Sequence, residues 1–224
     1  MKEDMKGFFI TGTDTEIGKT TITAGLTHLL QSRGVRVAPI KSLAAGVEAN
    51  GLNEDVARLH AVQTLGLTPE DICPLQLREP CAPHIAAQLE GREIDRAALL
   101  SAIHATAAKA EMALVEGVGG FRVPLVPGWD TADLATDLQL PVVLVVGLRL
   151  GCINHALLTA EAIRSRGLTL AAWVANTADP RFPHVADNLA SLQLGLNAPC
   201  WGHVPRLADP NPAAVAAHLN IEFP

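Results

Sequence analysis

Six short apolar runs recur along this sequence, and longer amphipathic stretches separate them. Each run is continuously hydrophobic rather than alternating, which indicates strands buried on both faces, as in a parallel sheet covered by helices. The sequence therefore predicts an α/β fold with a doubly wound, mainly parallel sheet and helices on both faces. The runs lie at residues 8–10, 35–40, 112–115, 142–146, 170–175 and 200–204, and helical patterns lie at 19–32, 53–63, 96–109, 154–166 and around 183–192, with a short terminal helix after the turn at 210–212.

The composition limits the number of domains and the classes of ligand that this chain can bind. With 224 residues, 49% of them hydrophobic, the chain can bury the core of one domain, so we expect a single α/β domain over residues 1–224. The formal charge of −6 is spread without a basic cluster, which argues against a nucleic-acid groove and against an anionic membrane surface. We expect small-molecule ligands, and neither nucleic acid nor a membrane as a partner.

The sequence also argues against export and against a cysteine-based metal site. Residues 1–4 include acidic side chains where a secretory signal would be basic, and the longest apolar run, 141–148, is far shorter than the ~20 residues of a membrane span. The four cysteines form no CxxC pair, and the three-residue spacing of Cys81 and His84 comes without two further ligands. We therefore expect a cytoplasmic protein without a disulfide framework or a zinc knuckle.

Residues 12–21 read GTDTEIGKTT and connect the first apolar run to the first helical pattern. A strand that enters a helix through a loop ending in Gly-Lys-Thr leaves backbone N–H groups that bind the phosphates of ATP or GTP. Lys19 can reach the β- and γ-phosphates, and the Thr20 hydroxyl can bind Mg²⁺. The usual glycine five positions before Gly18 is replaced by Thr13, and Gly12 lies one residue earlier. The sequence thus predicts a variant phosphate-binding loop.

Charged residues follow the second and third apolar runs. Glu116 comes directly after the third run and before a glycine-rich bend, so its carboxylate is a candidate Mg²⁺ ligand, with a solvated strand-end residue as the alternative. Lys41 follows the second run and can neutralise charge on a transferring phosphoryl group, with a solvated strand-end lysine as the alternative. Asp55 begins the next helix, where it is either a further metal ligand or a first-turn residue that favours the helix dipole.

Two further segments follow the fourth and fifth runs, at the edge of the sheet where ligands bind in such folds. Residues 150–155 precede a helix, whose N-terminus can bind a carboxylate or a phosphate. Asn176 carries an amide that can donate to and accept from a purine edge, and a simple turn residue is the alternative.

Together these segments resemble the ATP-dependent dethiobiotin synthetase family, which belongs to a wider group of P-loop proteins. The resemblance covers nearly the whole chain: GTDTEIGKT at 12–20, Lys41, Asp55, EPCAPHIAA at 79–87, VEGVGG at 115–120, VVGLRLGCINHALLT at 145–159 and WVAN at 173–176. It implies a P-loop NTPase-like fold and a ligase of biotin biosynthesis. Members of that family close the ureido ring of dethiobiotin from 7,8-diaminononanoate, CO₂ or bicarbonate, and ATP with Mg²⁺.

The resemblance also implies roles for the matching residues. A carbamate would form on one substrate amine, the γ-phosphate would phosphorylate it, and the second amine would expel phosphate. Lys19 and Lys41 would be the catalytic residues that stabilise charge on the phosphates and the carbamate, and Thr20, Asp55 and Glu116 would hold Mg²⁺.

Two larger sets of contacts follow from the same resemblance. Asn176 would read adenine, and residues near 202–207 would line the base and ribose. The helix start at 151–154 would meet the substrate carboxylate across a homodimer. The nucleotide-binding set is Thr13, Asp14, Thr15, Glu16, Ile17, Gly18, Lys19, Thr20, Thr21, Asp55, Glu116, Gly117, Gly119, Asn176, Thr177, Pro205, Arg206 and Leu207. The substrate-binding set is Lys41, Ala45, Gly119, Leu150, Gly151, Cys152 and Asn154.

Two positions depart from the family pattern. The family commonly reads Lys-Pro-x-x-Ser/Thr-Gly after its second strand, whereas residues 41–46 here read KSLAAG. Ala45 lacks the hydroxyl that contacts substrate, and a lost hydrogen bond of about 0.5–1.5 kcal/mol weakens binding or turnover roughly two- to tenfold. Ser42 replaces the proline, three residues too early to be assigned that contact. Arg206 stands where the family often has an apolar or aromatic residue, which leaves the nucleotide contacts there open.

Three other functions fit part of the sequence. A partition-type ATPase switch carries a lysine five residues before the loop lysine, where this chain has Asp14. A cobyrinate-type amidase needs a glutaminase domain that 224 residues cannot hold. A catalytically degenerate nucleotide-binding homologue stays open because of Ala45, although the lysines and carboxylates of the predicted site are all present.

Overall fold

A central parallel sheet dominates the computed structural model, which describes residues 5–49, 51–177 and 179–221. The strands of the described residues are β1 Gly7–Gly12, β2 Val37–Lys41, β3 Ala44–Ala45, β4 Gln76–Leu77, β5 Met112–Glu116, β6 Pro124–Val126, β7 Trp129–Asp130, β8 Val142–Gly147, β9 Leu170–Asn176 and β10 Cys200–Val204. Six of them form the central sheet in the order β10-β9-β8-β1-β5-β2, and every neighbouring pair in it is parallel. All six predicted strands are therefore confirmed. The short pairs β3–β4 and β6–β7 lie outside this sheet.

The helices of the described residues are α1 Lys19–Ser32, α2 Glu54–Val62, α3 Pro69–Ile72, α4 Pro83–Leu89, α5 Arg96–Ala107, α6 Thr131–Leu138, α7 Cys152–Ser165, α8 Val185–Leu196 and α9 Pro212–Ala216. The predicted bounds of α1 are confirmed, and α8 ends four residues beyond its predicted end. Helix α7 begins two residues earlier than predicted because Gly151, at φ +92°, provides the left-handed turn that precedes it.

Helix α6 was not predicted, although its start carries a recognisable signal. Asp130 caps it by accepting hydrogen bonds from the N–H groups of Ala132 and Asp133, and the Asp133 carboxylate accepts from the Asp130 N–H in return. This reciprocal pair is the capping box that marks many helix N-termini. An Asp-x-x-Asp pattern at 130–133 was therefore the available clue.

Helices cover both faces of the central sheet, as the apolar runs predict. Phe8 and Ile10 of β1 pack in one apolar layer with α1 and α9, and Phe9 packs in the other layer, which contains the buried residues of α5, α6, α7 and α8. The doubly wound architecture is thus confirmed.

Among the described residues, no helix combines the length and the apolarity needed to span a membrane. The acidic start at 1–4 lies outside the described ranges.

The strand order brings the predicted charged residues together. Strand β5 lies between β1 and β2, so the phosphate loop after β1, Lys41 at the end of β2 and Glu116 at the end of β5 emerge at the same edge. The register pairs Lys41 directly with Glu116. The carboxyl ends of these three strands therefore build one site.

Candidate nucleotide site

The loop between β1 and α1 forms an open helix N-terminus. Gly18 precedes α1 in the left-handed conformation, at φ +86°, and no side chain caps the first turn of the helix. The left-handed conformation favours glycine at 18, and a Cβ atom there would also lie 2.3 Å from the Asn176 Nδ2 atom, so a larger residue would displace that amide. The uncapped N–H groups and the helix dipole together make a site for anions.

A cavity of about 560 Å³ opens above this loop. It is bounded by the loop, by the ends of β2 and β5, by β3 and by the first turns of α1 and α2. The predicted residues that line it are Thr15, Glu16, Gly18, Lys19, Thr20, Thr21, Lys41, Ala45, Asp55, Glu116 and Gly119. The structure thus places the predicted catalytic and metal-binding residues around one space.

An ion cluster forms the floor of the cavity, with Lys41 and Glu116 buried and the Asp55 side chain 42% exposed. The Lys41 Nζ atom lies 2.6 Å from Glu116 Oε1 and 2.7 Å from Asp55 Oδ2. Thr20 donates its hydroxyl to Glu116 Oε1 at 2.7 Å, and Thr23 donates to Oε2 at 2.8 Å. Glu116 is fully buried, so the solvated alternative for this residue is wrong. Each of its carboxylate oxygens instead accepts hydrogen bonds inside the protein.

The charges in this cluster keep Lys41 and Asp55 ionised. Burial alone would lower the pKa of Lys41, but the Glu116 and Asp55 carboxylates outweigh that effect and hold it well above its ordinary value. Burial would raise the pKa of Asp55, but the Lys41 ammonium holds it below its usual range. Asn53, rather than Asp55, caps α2 by accepting from the backbone. The Asp55 carboxylate is therefore available to the cluster.

The donor set at this point fits Mg²⁺. Thr20 supplies a hydroxyl oxygen, and Asp55 and Glu116 supply carboxylate oxygens joined through the same lysine ammonium. Hard oxygen donors in small number, with room for phosphate oxygens and water, are what Mg²⁺ prefers.

Lys19 lies beside this cluster, and its ammonium form is only weakly stabilised by the surrounding protein. Its Nζ atom donates to the Asp14 carbonyl oxygen at 2.8 Å, and 6% of the residue is exposed. Burial lowers the pKa of Lys19 to about 8, against the opposing pull of the Glu116 carboxylate. An anion in the cavity would therefore stabilise the charged form of this lysine.

The unusual residues of the loop turn away from the cavity. Thr13 accepts the Gly147 N–H on its hydroxyl at 3.2 Å, and Asp14 forms an ion pair with Arg149. Neither residue lines the cavity. Arg149 was not predicted, because its contact with Asp14 depends on β8 lying next to β1.

The position of Ala45 agrees with a substrate-facing role. It lies in β3 on the wall of the cavity, where its methyl group offers no hydrogen bond. Ser42 is fully buried, does not line the cavity, and its hydroxyl has no hydrogen-bond partner among the described residues. Ser42 therefore does not replace the missing hydroxyl at 45.

The residues predicted for the base side lie outside the cavity. Asn176 donates its side-chain amide to the Ile17 carbonyl oxygen at 2.8 Å, and the Thr177 hydroxyl lies 2.9 Å from His203 Nε2. Residues 205–207 follow β10, which lies two strands away from β8 in the sheet. Gly117, also predicted to bind nucleotide, packs against the Phe9 ring. Nucleotide binding by Asn176, Thr177, Pro205, Arg206 and Leu207 stays a prediction.

The segment before α7 also lies outside the cavity of its own chain. Leu150 is 93% exposed, whereas the Cys152 side chain is buried and its N–H donates to the Arg149 carbonyl oxygen. Asn154 is exposed in the first turn of α7. Contact of Leu150, Gly151, Cys152 and Asn154 with substrate therefore stays a prediction that requires a second copy of the chain.

Two residues of the site were missed although their spacing offered a clue. Thr23 lies three residues after Thr20, one turn along the same helix face. Arg58 lies three residues after Asp55, lines the cavity, and donates to the Thr21 hydroxyl at 3.1 Å. A search of the sequence one helical turn beyond Thr20 and Asp55 would have found both residues.

The parallel sheet, the Gly-Lys-Thr loop and the carboxylate on the adjacent strand define a P-loop nucleotide-binding protein. Solved structures agree at the level of the fold alone. A ParA family ATPase from Chlorobium tepidum TLS superposes with a TM-score of 0.55 at 12% identity, over 96% of this chain and 98% of that one. The MinD cell division protein of Aquifex aeolicus gives a TM-score of 0.51 at 14% identity, over 93% and 87%.

Sequence comparison assigns the chain to one family among the P-loop nucleotide-binding proteins. A family model described as an AAA domain matches residues 6–214. The ATP-dependent dethiobiotin synthetase BioD of Pseudomonas paraeruginosa is 53% identical over 221 residues, which cover 97% of this chain and 97% of that protein. The ATP-dependent dethiobiotin synthetase BioD of Janthinobacterium sp. is 52% identical over 220 residues, which cover 95% of this chain and 93% of that protein. The chain belongs to the ATP-dependent dethiobiotin synthetase family. The resemblance stated from the motifs is confirmed, and the partition-type switch is not favoured.

Proposed function

We propose that the protein is a Mg²⁺-dependent, ATP-driven ligase of biotin biosynthesis that closes the ureido ring of dethiobiotin. Its substrates are 7,8-diaminononanoate, CO₂ or bicarbonate, and ATP. The observation that carries this proposal is the cluster of Lys41, Asp55, Glu116 and Thr20 beside Lys19 in one cavity, on a chain about half identical to dethiobiotin synthetases over nearly its whole length.

The proposed reaction forms two C–N bonds at one carbon. One amine adds to CO₂ and loses a proton, which gives a carbamate. A carbamate oxygen takes the γ-phosphoryl group of ATP and ADP leaves, forming a carbamic-phosphoric anhydride. The second amine then attacks the carbonyl carbon and loses a proton, and phosphate leaves with that oxygen as the ring closes. The products are dethiobiotin, ADP and phosphate.

The residues of the cavity stabilise the charge that this reaction creates. Lys19 would hold the β- and γ-phosphates, and Lys41, fixed by two carboxylates, would face the oxygens of the carbamate and of the transferring phosphoryl group. Thr20, Asp55 and Glu116 would hold Mg²⁺, which neutralises phosphate charge when bound. Because no residue needs to form a covalent bond with substrate, catalysis consists of positioning and electrostatic stabilisation.

We further propose that the protein works as a cytoplasmic homodimer, with all of residues 1–224 in one domain. The exposed side chains of Leu150, Leu157 and Leu158 support a partner surface at the start of α7. In such a dimer, the first turn of α7 from one subunit would meet the substrate carboxylate held by the other. The uncapped N-terminus of α7 suits that anion.

A product assay tests the proposed activity. Protein incubated with the diamine, bicarbonate, Mg²⁺ and ATP should release dethiobiotin, ADP and phosphate in equal amounts. Lys41→Met should abolish diamine-dependent turnover, whereas Lys109→Met, at a half-exposed lysine paired with Asp71, should not. ATP hydrolysis that does not respond to the diamine would favour a switch, and ATP binding without product would favour a degenerate homologue.

A further inference from the structure

The end of β9 contacts the phosphate loop through one side chain. Asn176 Nδ2 donates to the Ile17 carbonyl oxygen at 2.8 Å. Since a carbonyl oxygen only accepts hydrogen bonds, the NH₂ end of this amide must face Ile17. The amide also packs against Gly18, where a Cβ atom would approach Nδ2 to 2.3 Å. Asn176 therefore contacts both sides of the Ile17–Gly18 peptide bond.

This contact fixes the direction of the Gly18 N–H group. The described chain contains no cis peptide bond, and in a trans peptide the N–H and C=O groups point in opposite directions. Because the Ile17 carbonyl points at Asn176, the Gly18 N–H points away from it. Gly18 lines the cavity and Asn176 does not. The Ile17 side chain, 1% exposed, packs in the apolar core.

We propose that Asn176 is a positioning residue for ATP phosphates, which it serves by locking the Ile17–Gly18 peptide with the Gly18 N–H directed at the phosphate site. This role rests on the proposed use of the loop for ATP. It differs from base recognition, because it acts on the phosphates whether or not a base is present. Among the described residues, the hydrogen bond of this amide uses Nδ2 and not Oδ1.

The size of the effect follows from one neutral hydrogen bond. Without the amide, the peptide can rotate, and the Gly18 N–H must be reoriented each time a phosphate binds. A loss of about 0.5–1.5 kcal/mol corresponds to a roughly two- to tenfold weaker affinity for phosphates. A residue that only reads the base would change the affinity for ATP and leave the affinity for a baseless ligand unaltered.

Inorganic tripolyphosphate with Mg²⁺ is the probe that separates these roles. We expect Asn176→Ala to raise the Kd of Mg²⁺-tripolyphosphate roughly two- to tenfold by isothermal titration calorimetry. Asn188→Ala is the matched control, since Asn188 Nδ2 also donates to a backbone carbonyl at 2.8 Å, but on α8 and far from the loop in sequence. Its Kd should equal that of the unmodified protein.

A spectroscopic measurement observes the peptide itself. Ile17–Gly18 is the only Ile-Gly pair in the sequence, so ¹³C-carbonyl isoleucine with ¹⁵N-glycine gives one HNCO cross-peak. In the unmodified protein this peak should carry the carbonyl shift of an accepted hydrogen bond and move on addition of tripolyphosphate. In Asn176→Ala and in the isosteric Asn176→Asp, which lacks the donor, the carbonyl shift should lose that contribution.

The outcomes separate this proposal from the proposed function. Weaker tripolyphosphate binding together with the altered carbonyl shift supports the positioning role. Unchanged tripolyphosphate binding in a folded Asn176→Ala protein overturns it, even if ATP binding is weakened. If the unmodified protein makes dethiobiotin but its Ile17–Gly18 peak does not respond to tripolyphosphate, the positioning role is wrong while the enzymatic function stands. If it binds no tripolyphosphate and makes no product, both fail.

Discussion

Thr23 offers the sharpest test of how the buried carboxylate is held. Its hydroxyl donates to Glu116 Oε2 at 2.8 Å and also lies 3.0 Å from the Lys19 carbonyl oxygen. Both Thr23 and Glu116 are fully buried, so water cannot replace the hydroxyl if it is removed. Thr23→Val keeps the shape and the β-branch of the side chain, and deletes only its hydrogen-bonding capacity.

The expected cost follows from the charge of the acceptor. A hydrogen bond to a charged group contributes about 1.5–3 kcal/mol, and a buried carboxylate oxygen left without its donor loses at least that. For a domain of this size, each kcal/mol shifts Tm by about 2–4 °C, so Thr23→Val should lower Tm by roughly 3–12 °C. Glu116 would also be less firmly oriented towards Thr20, so turnover should fall as well.

Thr27→Val is the control. Thr27 is equally buried one turn further along α1 and donates to the Thr23 carbonyl oxygen, but it contacts no carboxylate. Each variant loses one buried hydroxyl and the one hydrogen bond that it donates, which goes to a carboxylate at position 23 and to a neutral backbone carbonyl at position 27, so their difference isolates the charged acceptor Glu116. Urea unfolding and calorimetry of the two proteins measure that difference. Equal stability losses in Thr23→Val and Thr27→Val would refute the idea that Thr23 stabilises the buried carboxylate.

Three further predictions concern activity. Burial lowers the pKa of Lys19 to about 8, so its ammonium is present below that pH and lost above it. We therefore expect kcat/KM for ATP to fall up to about tenfold per pH unit above ~8. A kcat/KM that does not change across this pH range would contradict the prediction. Ala45→Ser restores a hydroxyl on the cavity wall, so the KM for the diamine should drop roughly two- to tenfold; an unchanged KM would mean that position 45 does not contact substrate. An equal mixture of Lys41→Met and Asn154→Ala should be more active than the mean of the two separate proteins and should reach at least about a quarter of full activity, because half of randomly mixed dimers contain one fully intact site; activity equal to that mean would exclude a shared site.

The sequence predicted those parts of the site that follow from strands. A buried parallel strand shows as a continuous apolar run, and its last residues lie at the ligand-binding edge, which is why Lys41 and Glu116 were found. The two-residue strand β3 carries no such pattern, so the position of Ala45 on the cavity wall came only from the resemblance. Arg149 could not be predicted at all, because its partner is chosen by the strand order and not by any local motif.

The irregular spacing of the phosphate loop has a structural reason in that same strand order. A Cβ atom at Gly12 would lie 2.8 Å from the Ile17 side chain, so any larger residue at 12 would have to displace Ile17, which packs into the core. Thr13 is instead tied to β8 by its N–H and its hydroxyl, and Asp14 faces Arg149. A lysine at position 14, the signature of the partition-type switch, would place two like charges together. Asp14 instead pairs with Arg149, so converting this chain to the switch signature would replace an attraction by a repulsion at this half-exposed pair unless Arg149 were changed as well.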